Sequence, residues 1–430
     1  MPEEKKKLIL AGILTVIIFA VGFFIYQQFL APGKLIITPI PTGVDIQING
    51  KLYKNVIDPL KLDLRTGNYK IKLSKKDYFP KEDLIKIKGF KTLKKTYTLE
   101  EKPEIELLLN KEIEFPTLSK DESYLYYLPK AGDSFERLDL ETFFTETISM
   151  PNLAFIHLVL WSPTKDLALI LVKNNRLYLE AIGSKLVSWN VSDGALLWWL
   201  YNFTGFLIAT QNVAQLNPNI KTVSWSPLGD KIIYVYQTEE EKSLVIANPS
   251  GSNYQRIANL EEIDFLPIPL YSPDGEKIAL FGIDKTKLPQ DIYLFDLINK
   301  ELKKLTDNGV SWGAKFSPDS SKILYERFEN GKSYLWVMNS DGTDKRNLKV
   351  EGELKKTIWF DNKSIITAIK DEATGKEELY LINVETAKTF KIPHKEFAEN
   401  LDIGNLLLTT DKNFLYFTSK GKPYRLRLKL

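Results

Sequence analysis

The chain has no cysteine among its 430 residues and only two histidines, His157 and His394. Without cysteine there can be no disulfides, no thiol catalysis and no zinc site built on thiolates. The two histidines share no motif and lack the spacing of metal ligands, so we expect structural or solvated roles for both. We therefore expect neither a metal site nor a cofactor.

Long apolar runs are scarce too, with one exception at the front of the chain. Residues Leu8 to Tyr26, with Ile18 near the middle, form 19 consecutive positions without a charge. That length is enough to cross a hydrocarbon core of about 30 Å as a helix. Three lysines precede the run, which favours a cytoplasmic N-terminus.

A cleaved signal peptide is the alternative interpretation of this run. The run is longer than the usual apolar region of such a peptide, and QQFLAPGK after it offers no good cleavage site. We therefore predict an uncleaved signal anchor in residues 1–32. The protein would be a single-pass protein of the cell membrane, with its bulk outside the cytoplasm.

From Lys34 onward, apolar and polar residues alternate over short segments. Examples are Val44–Ile48, Leu60–Leu64 and Tyr69–Leu73, separated by turn residues such as Asn49-Gly50. A period of two over short segments predicts a half-buried antiparallel sheet, and about 70 residues of it predict a small β-sandwich. The order LIITPIPTGVDIQING, DPLKLDL, RTGNYKIKLSKKDYF resembles a PEGA domain, and we place this domain at 33–102. The resemblance implies an extracytoplasmic setting and no catalysis.

Charge is divided unequally along the chain. Residues 33–102 carry 15 Lys and one Arg against eight acids, a net charge of +8, and residues 1–32 add +1. Since the whole chain is at +3, residues 103–430 carry −6. The basic module could attract anionic lipid headgroups or an anionic wall polymer, or its lysines could be a solvated face that also protects sheet edges. Nucleic acid is not expected as a partner, because no aromatic and basic platform or known binding motif is present.

A short motif returns along the rest of the chain. An aromatic residue, Ser and Pro precede a turn and an apolar strand, and the motif begins at Trp161, Trp225, Tyr271 and Phe316. The prolines at 227, 273 and 318 lie 46 and 45 residues apart, a length suited to four short strands. Such a repeat predicts a β-propeller at 103–430. We expect the recurring aromatic to pack between blades rather than contact a ligand.

Residues 161–225 are less regular. This segment could hold one long blade, or two short ones with a second unit around LLWWLYNFTGFLIAT, so seven and eight blades are both open. Trp198 and Trp199 lie in it. Adjacent strand residues point to opposite faces, so one of the two rings is a candidate for an exposed binding aromatic.

The sequences SPDGEKIAL and LWVMNSDGT resemble the repeats of TolB-like, or PD40, propellers, and the Gly-His and Trp-Asp pairs of WD40 blades are lacking. The resemblance implies binding of a protein or glycan at a propeller face or channel. Phosphate loops and a G-x-S-x-G elbow are absent from the sequence, and Asn339–Asp344 resembles a calcium loop only in part, so we expect a turn there. A catalytic pair of carboxylates in the propeller channel stays an open alternative. Its two residues would come from separate blades, so no linear motif would mark them.

These observations predict an all-β protein with one N-terminal transmembrane helix. We expect a non-enzymatic adaptor that recognises an envelope protein or peptide through its propeller. The alternatives are attachment to a wall or surface polymer through the basic module, and an enzyme acting on glycans or peptides.

Overall fold

The structure, a computed structural model, divides the chain into two compact units, each described here by itself. One contains Met1–Glu104 and Pro393–Phe397, and the other contains Ile105–Ile392 and Ala398–Leu430. The residues it describes are 3–26, 31–130, 132, 134–148, 156–164, 167–182, 185–202, 213–283, 289–371, 375–397 and 399–429, without the side chains of residues 6, 173–182, 185–202 and 213–214.

The first unit begins with helix α1 (Glu3–Ile25), whose apolar side chains are exposed on all sides. A helix that is apolar all round and is not buried in protein has the composition of a membrane span. Among the described residues it is the one helix long and apolar enough to cross a bilayer. Leu8 and Ile18 lie on it, and Tyr26 follows its last residue.

The small domain after the helix has two sheets around one core. One sheet has the order β4–β1–β7 and the other β3–β2–β5–β6. The buried residues of both sheets form a single cluster that includes Leu35, Ile46 and Ile71. The strands are β1 (Pro32–Ile40), β2 (Val44–Ile48), β3 (Lys51–Val56), β4 (Leu60–Arg65), β5 (Gly67–Ser74), β6 (Lys81–Ile87) and β7 (Thr92–Thr98).

The expectation of a purely antiparallel arrangement is wrong for one strand pair. β1 and β7 run parallel, with Leu35 opposite Leu93 and Ile37 opposite Lys95. The four strands of the other sheet lie between them in sequence, and the chain can therefore return to β1 in the same direction. The alternation predicted for Val44–Ile48, Leu60–Leu64 and Tyr69–Leu73 is confirmed by the burial of every second side chain.

The second unit contains seven four-stranded antiparallel sheets in its described residues. We number these propeller sheets in chain order. Their strands are β9 (Ile113–Leu118), β10 (Tyr124–Pro129), β11 (Phe135–Asp139) and β12 (Thr145–Ile148) in the first; β13 (Ile156–Trp161), β14 (Leu167–Ile182), β15 (Lys185–Asn202) and β16 (Val213–Gln215) in the second; β17 (Ile220–Trp225), β18 (Ile232–Gln237), β19 (Lys242–Ala247) and β20 (Gln255–Asn259) in the third; β21 (Ile268–Tyr271), β22 (Lys277–Phe281), β23 (Tyr293–Asp296) and β24 (Glu301–Lys304) in the fourth.

The remaining three sheets follow the same pattern, except that the last takes its outer strand from the beginning of the unit. Their strands are β25 (Ser311–Phe316), β26 (Lys322–Glu329), β27 (Lys332–Asn339) and β28 (Arg346–Glu351) in the fifth; β29 (Thr357–Trp359), β30 (Ser364–Lys370), β31 (Glu377–Asn383) and β32 (Thr389–Lys391) in the sixth; β33 (Ile403–Leu408), β34 (Phe414–Ser419), β35 (Lys422–Arg427) and β8 (Ile105–Leu107) in the seventh. A short 3-10 turn, Leu354–Lys356, precedes β29.

Hydrophobic clusters lie between successive propeller sheets. Tyr325 of the fifth sheet packs with Ala279 and Leu294 of the fourth, for example, and Leu324 of the fifth packs with Ile365 of the sixth. Each sheet is thus apolar on both faces, which explains the continuous apolar runs of the second strands. Burial between sheets is the main source of stability in this unit.

The ring of sheets is closed by strand pairing between its two ends. β8 pairs antiparallel with β35, and Ile105 lies opposite Leu426. A cluster that includes Tyr416 of the seventh sheet and Leu125 of the first fills the junction beside it. This closure covers the sheet edge that β35 would otherwise expose.

The repeated Ser-Pro motif forms a turn between the first and second strands of a sheet. The hydroxyl at its serine position accepts a hydrogen bond of 2.9–3.2 Å from the backbone N–H five residues later. In most of these turns the hydroxyl also donates to a nearby aspartate. The positions are Ser162, Ser226, Ser272 and Ser317 of the motif, and the equivalent Ser119 and Thr409, which no proline follows. The motif is therefore a structural device that satisfies buried polar groups at the turn.

The aromatic residue of the motif packs between sheets, as predicted. The indole N–H of Trp225 donates to the carbonyl of Leu160 on the preceding sheet at 2.8 Å. Trp161 makes the same kind of bond to Phe115 at 3.0 Å, and Trp359 makes one to Lys315 at 3.0 Å. These tryptophans fix the spacing of neighbouring first strands.

The long interval between Trp161 and Trp225 is occupied by one sheet in its described residues. Beyond Val172, β14 pairs with β15 alone, as far as Ile182 opposite Lys185. The extra length is therefore a long hairpin. Of the two alternatives left open by the sequence, one long blade or two short ones, the residues described in this interval form one sheet. Residues 203–212 of the predicted extra unit lie outside the described residues.

Candidate functional site

The candidate site lies at one end of the propeller sheets. In an antiparallel four-stranded sheet, the first strand begins and the second strand ends at the same end. We call this the entry end. The turns with the Ser-Pro motif lie at the opposite end, because they connect the end of the first strand to the beginning of the second.

Three large apolar side chains are exposed at the entry end of the fourth and fifth sheets. Leu266 precedes β21, Ile283 follows β22 and Phe328 lies near the end of β26, with exposed fractions of 44%, 62% and 39%. We call these three residues the apolar patch. Single exposed apolar residues are common on proteins, so the patch matters only if its members are neighbours.

Backbone geometry brings the patch residues together. The register that pairs Ile268 with Phe281 places Leu266 opposite Ile283, just beyond the ladder. Gly282, next to Ile283, accepts a hydrogen bond of 2.9 Å from the N–H of Gly313 on the fifth sheet. Trp312 precedes Gly313, and its ring centroid is 6.0 Å from that of Phe328. The patch residues thus lie at the entry end of two adjacent sheets: Leu266 and Ile283 are on the fourth, and Phe328 is on the fifth, on the face that also carries Leu324 and Glu326 and looks toward the sixth.

Gly313 is needed at this junction for two reasons. Its φ of +66° is a conformation that side chains other than that of glycine rarely adopt, and a Cβ there would lie 2.5 Å from a side-chain carbon of Leu354. The packing of the fifth sheet on Leu354, in the turn before the sixth sheet, depends on this residue.

A buried carboxylate fixes the Trp312 side chain beside Phe328. Glu326 is 5% exposed. One of its oxygens accepts a hydrogen bond from the indole N–H of Trp312 at 3.1 Å, and the other accepts one from the backbone N–H of Leu354 at 2.8 Å. Because both oxygens are used in this way, Glu326 orients Trp312 beside Phe328 and is a positioning residue.

Two polar groups near the patch have no hydrogen-bond partner among the described residues. They are the hydroxyl of Tyr325 and the indole N–H of Trp336, both buried on the face of the fifth sheet that packs on the fourth. The two residues lie opposite each other on β26 and β27. Burial raises the pKa of the Tyr325 hydroxyl, which keeps it a donor at neutral pH. Unpaired buried donors are rare in native proteins, so these two groups set this part of the sheet apart from its neighbours.

The guanidinium group of Arg327 lies over the ring of Trp336. The Arg327 guanidinium carbon is 4.6 Å from the centroid of the Trp336 ring, and Nε lies 3.0 Å from a carboxylate oxygen of Glu329. Arg327 is 30% exposed, so it reaches solvent at the entry end. Apolar surface and hydrogen-bond donors together suit an extended peptide, whose backbone carbonyls accept hydrogen bonds.

The residues proposed from sequence as binding aromatics, Trp198 and Trp199, lie on β15 opposite Leu171 and Ile170. Their side chains lie outside the described residues, so their exposure stays a prediction. No signal in the sequence marked the apolar patch, because its residues lie at the irregular ends of strands and do not repeat from blade to blade.

The remaining candidates belong to different parts of the chain. His157 is exposed on β13, whereas His394 lies in the first unit, where its Nδ1 is 2.7 Å from the carbonyl of Lys395. Asn339–Asp344 forms the predicted turn between β27 and β28, and its Asp341 accepts hydrogen bonds from Thr343. Within the described part of the chain, no three His, Asp or Glu side chains are grouped to hold a metal ion.

Comparison with known families agrees with both predicted modules. Residues 32–103 match the model of the PEGA domain, and residues 208–392 match that of the TolB beta propeller domain. The chain therefore carries a PEGA domain followed by a TolB-like β-propeller, in the order predicted from sequence.

Curated relatives match a limited part of the propeller. The Tol-Pal system protein TolB of Anaeromyxobacter sp. (strain K) is 28% identical over 105 residues, and so is that of Anaeromyxobacter dehalogenans (strain 2CP-1 / ATCC BAA-258). The match covers 24% of this chain and 23% of each relative, less than a quarter of their length.

Several solved structures are similar to this chain at low sequence identity. An oligogalacturonate lyase in complex with manganese has a TM-score of 0.52 at 14% identity, covering 76% of this chain and 91% of the lyase. A tricorn protease has a TM-score of 0.48 at 12% identity, covering 86% and 37%. TolB from Acinetobacter baumannii has a TM-score of 0.36 at 13% identity, covering 74% and 78%. At such identities the likeness to the lyase concerns the fold alone.

Proposed function

We propose that this protein is a non-enzymatic adaptor of the cell envelope, anchored by α1 in the cell membrane with its N-terminus in the cytoplasm. Its seven propeller sheets would form a seven-bladed propeller outside the cytoplasm. The apolar run of α1, the lysines before it and the TolB-type relatives support this placement. The anchor raises the effective concentration of the propeller near envelope partners, so weak contacts suffice.

The partner is an envelope protein or peptide that binds at the apolar patch. The observation that carries this proposal is the coincidence of Ile283 and Phe328, both exposed, with the unpaired donors of Tyr325 and Trp336 on the same pair of sheets. An extended segment would place apolar side chains on the patch and a carbonyl group toward Arg327, which is 30% exposed.

Site-specific photo-crosslinking in the native envelope tests this proposal. A photoreactive residue at position 328 should crosslink to one reproducible protein that stays bound at high salt. The same residue at Ile298, an exposed apolar position between β23 and β24 at the opposite end of the fourth sheet, is the matched control. Equal crosslinking at 298 and 328 would contradict the patch as the binding site.

The result also separates the alternatives. Recovery of wall polymer alone, lost as salt rises and crosslinked through the basic domain, would favour a wall-attachment role, because exposed charges are screened within about 10 Å at 0.1 M salt. Cleavage of an envelope glycan or peptide by the purified chain would favour an enzyme.

A further inference from the structure

We propose that one end of the PEGA domain is a membrane-docking surface, on which Phe90 enters the interfacial layer of a bilayer and the surrounding cations bind anionic phospholipid headgroups. This inference rests on the proposed membrane anchoring by α1. It goes beyond that anchoring because it assigns lipid contact to the folded domain itself.

The first observation concerns Phe90 in the loop between β6 and β7. Its side chain is 59% exposed although it is large and apolar. Its ring centroid lies 6.2 Å from that of Phe23, with the rings stacked, and 6.1 Å from that of Tyr26. Both partners belong to the C-terminal end of the apolar segment, where aromatic residues mark the boundary between hydrocarbon and water. Phe90 therefore extends an aromatic group of the anchor onto the domain.

The loop is held in this position by the backbone. The N–H of Phe90 donates to the carbonyl of Pro32 at 2.9 Å, and the N–H of Lys34 donates to the carbonyl of Lys91 at 2.9 Å. Phe90 adopts a φ of +58°, which directs the chain back into β7. Because these bonds join the Phe90 loop to β1, the first strand after the anchor, Phe90 stays close to the end of the anchor.

The second observation is the charge at this end of the domain. β1 and β7 begin here and β4 and β6 end here, because Pro32 pairs with Arg65 and Lys34 pairs with Thr92. The segments 31–34, 63–68 and 86–93 contain five cations and one acid, Asp63, which lies opposite Lys34. The cations are Lys34, Arg65, Lys86, Lys88 and Lys91. No ion pair within the described residues engages any of them.

The opposite end of the same domain has a different balance. The segments 40–45, 56–60, 74–81 and 98–101 contain five acids and three lysines, a net charge of −2. The domain is therefore polarised along its strands, with a net charge of +4 at the end where the anchor enters. A solvated lysine-rich surface would not need this polarity, whereas docking on an anionic leaflet favours it. Each cation near such a surface contributes about 1 kcal/mol, which is about fivefold in partitioning.

The full chain can test this directly because it has no cysteine. We would compare F90C with I57C, each labelled with an environment-sensitive dye and reconstituted in vesicles of phosphatidylcholine with or without phosphatidylglycerol. Ile57 is 60% exposed and lies beyond β3, toward the opposite end of β1. It is thus matched to Phe90 in apolar character and exposure.

We expect the emission of the dye at position 90 to shift to the blue and to be quenched by spin-labelled lipids. Both effects should be stronger when the vesicles contain phosphatidylglycerol. The dye at position 57 should stay in water. K88Q/K91Q should lower the docking equilibrium constant about 25-fold at low salt, because each lost cation lowers it about fivefold. K75Q/K76Q, two lysines at the opposite end, should leave it unchanged. Equal water exposure at positions 90 and 57, or equal docking without anionic lipid, would overturn the proposal.

Extraction at alkaline pH separates failure of docking from failure of the anchor. If the chain resists extraction while position 90 stays in water, the domain does not dock and the anchor stands. If the chain is extracted, the proposed anchoring fails and the docking inference fails with it.

Discussion

Glu122 and Thr410 are joined by two hydrogen bonds although 288 residues separate them in the sequence. One Glu122 carboxylate oxygen accepts from the backbone N–H of Thr410 at 2.7 Å and from its hydroxyl at 2.8 Å. The contact connects the turn of the first propeller sheet to that of the seventh. It adds to the closure made by β8 and by the ion pair of Arg425 with Glu106 at 2.7 Å.

Loss of this contact should loosen the closure of the ring. We expect Glu122→Ala to lower the free energy of unfolding of the propeller by about 1 kcal/mol, since two hydrogen bonds to a charged but exposed group are lost. Tryptophan fluorescence in urea measures this selectively, because all eight tryptophans lie between positions 161 and 359. Glu239→Ala, at an exposed turn of the third sheet, is the control. Equal effects of the two substitutions would mean that β8 alone closes the ring.

The inter-sheet tryptophans offer a matched pair of substitutions. Trp225→Phe removes the hydrogen bond to the Leu160 carbonyl and should destabilise the propeller by about 1 kcal/mol more than Trp336→Phe, whose indole N–H has no acceptor to lose. Urea unfolding followed by circular dichroism measures the difference. Equal destabilisation would show that ring packing, not the hydrogen bond, joins the sheets.

Lys315 should make stability depend on alkaline pH. It lies on the first strand of the fifth sheet, and its Nζ donates to the carbonyl of Thr357 on the next sheet at 2.6 Å. Burial lowers its pKa to about 8, against the opposing influence of Glu326. Between this value and the ordinary lysine pKa of 10.5, the unfolded chain binds more protons than the folded one, so stability rises with pH in that interval.

The comparison of the natural chain with Lys315→Met isolates this effect. The natural chain should gain stability relative to the variant as pH rises from about 8 to 10.5, because only the natural chain relieves a buried charge there. Urea midpoints across this range measure the gain. Lys221→Met, at an exposed position on the first strand of the third sheet, should show no such trend. Parallel pH profiles for Lys315→Met and the natural chain would contradict the prediction.

The parts of this protein that repeat could be predicted from its sequence. The same pattern of a turn and an apolar run returns at β14, β18, β22 and β26. Each further occurrence strengthens the prediction of a repeated sheet. β3 was not predicted, because Lys51–Val56 is an edge strand whose side chains are mostly exposed, so no alternation marks it.

The candidate site could not be predicted in the same way. Leu266, Ile283 and Phe328 are single apolar residues at strand ends, separated by up to 62 positions, and only the order of the strands and sheets places them at the same end of the propeller sheets. The unpaired state of Tyr325 and Trp336 depends on packing, which a linear pattern does not contain. Closure by β8 is likewise a contact between distant segments.

Lys356, Glu377 and Asp402 form a network whose energetics can be separated by a double-mutant cycle. Nζ of Lys356 lies 2.6 Å from Glu377 and 3.1 Å from Asp402, and the Lys356 and Glu377 side chains are 14% and 15% exposed. The second oxygen of Glu377 accepts the N–H of Ile403 at 2.6 Å, which links the sixth sheet to the seventh.

Lys356→Met should destabilise the propeller by about 3 kcal/mol, because Glu377 is left as a buried charge without its cation. The double variant Lys356→Met with Glu377→Met should be more stable than that single variant, since two apolar side chains replace the pair and only the hydrogen bond to Ile403 is lost. Lys130→Met, which breaks an exposed pair with Glu112, should change stability far less than Lys356→Met does. If the double variant is no more stable than Lys356→Met in urea unfolding, the network acts through the Ile403 hydrogen bond and not through charge pairing.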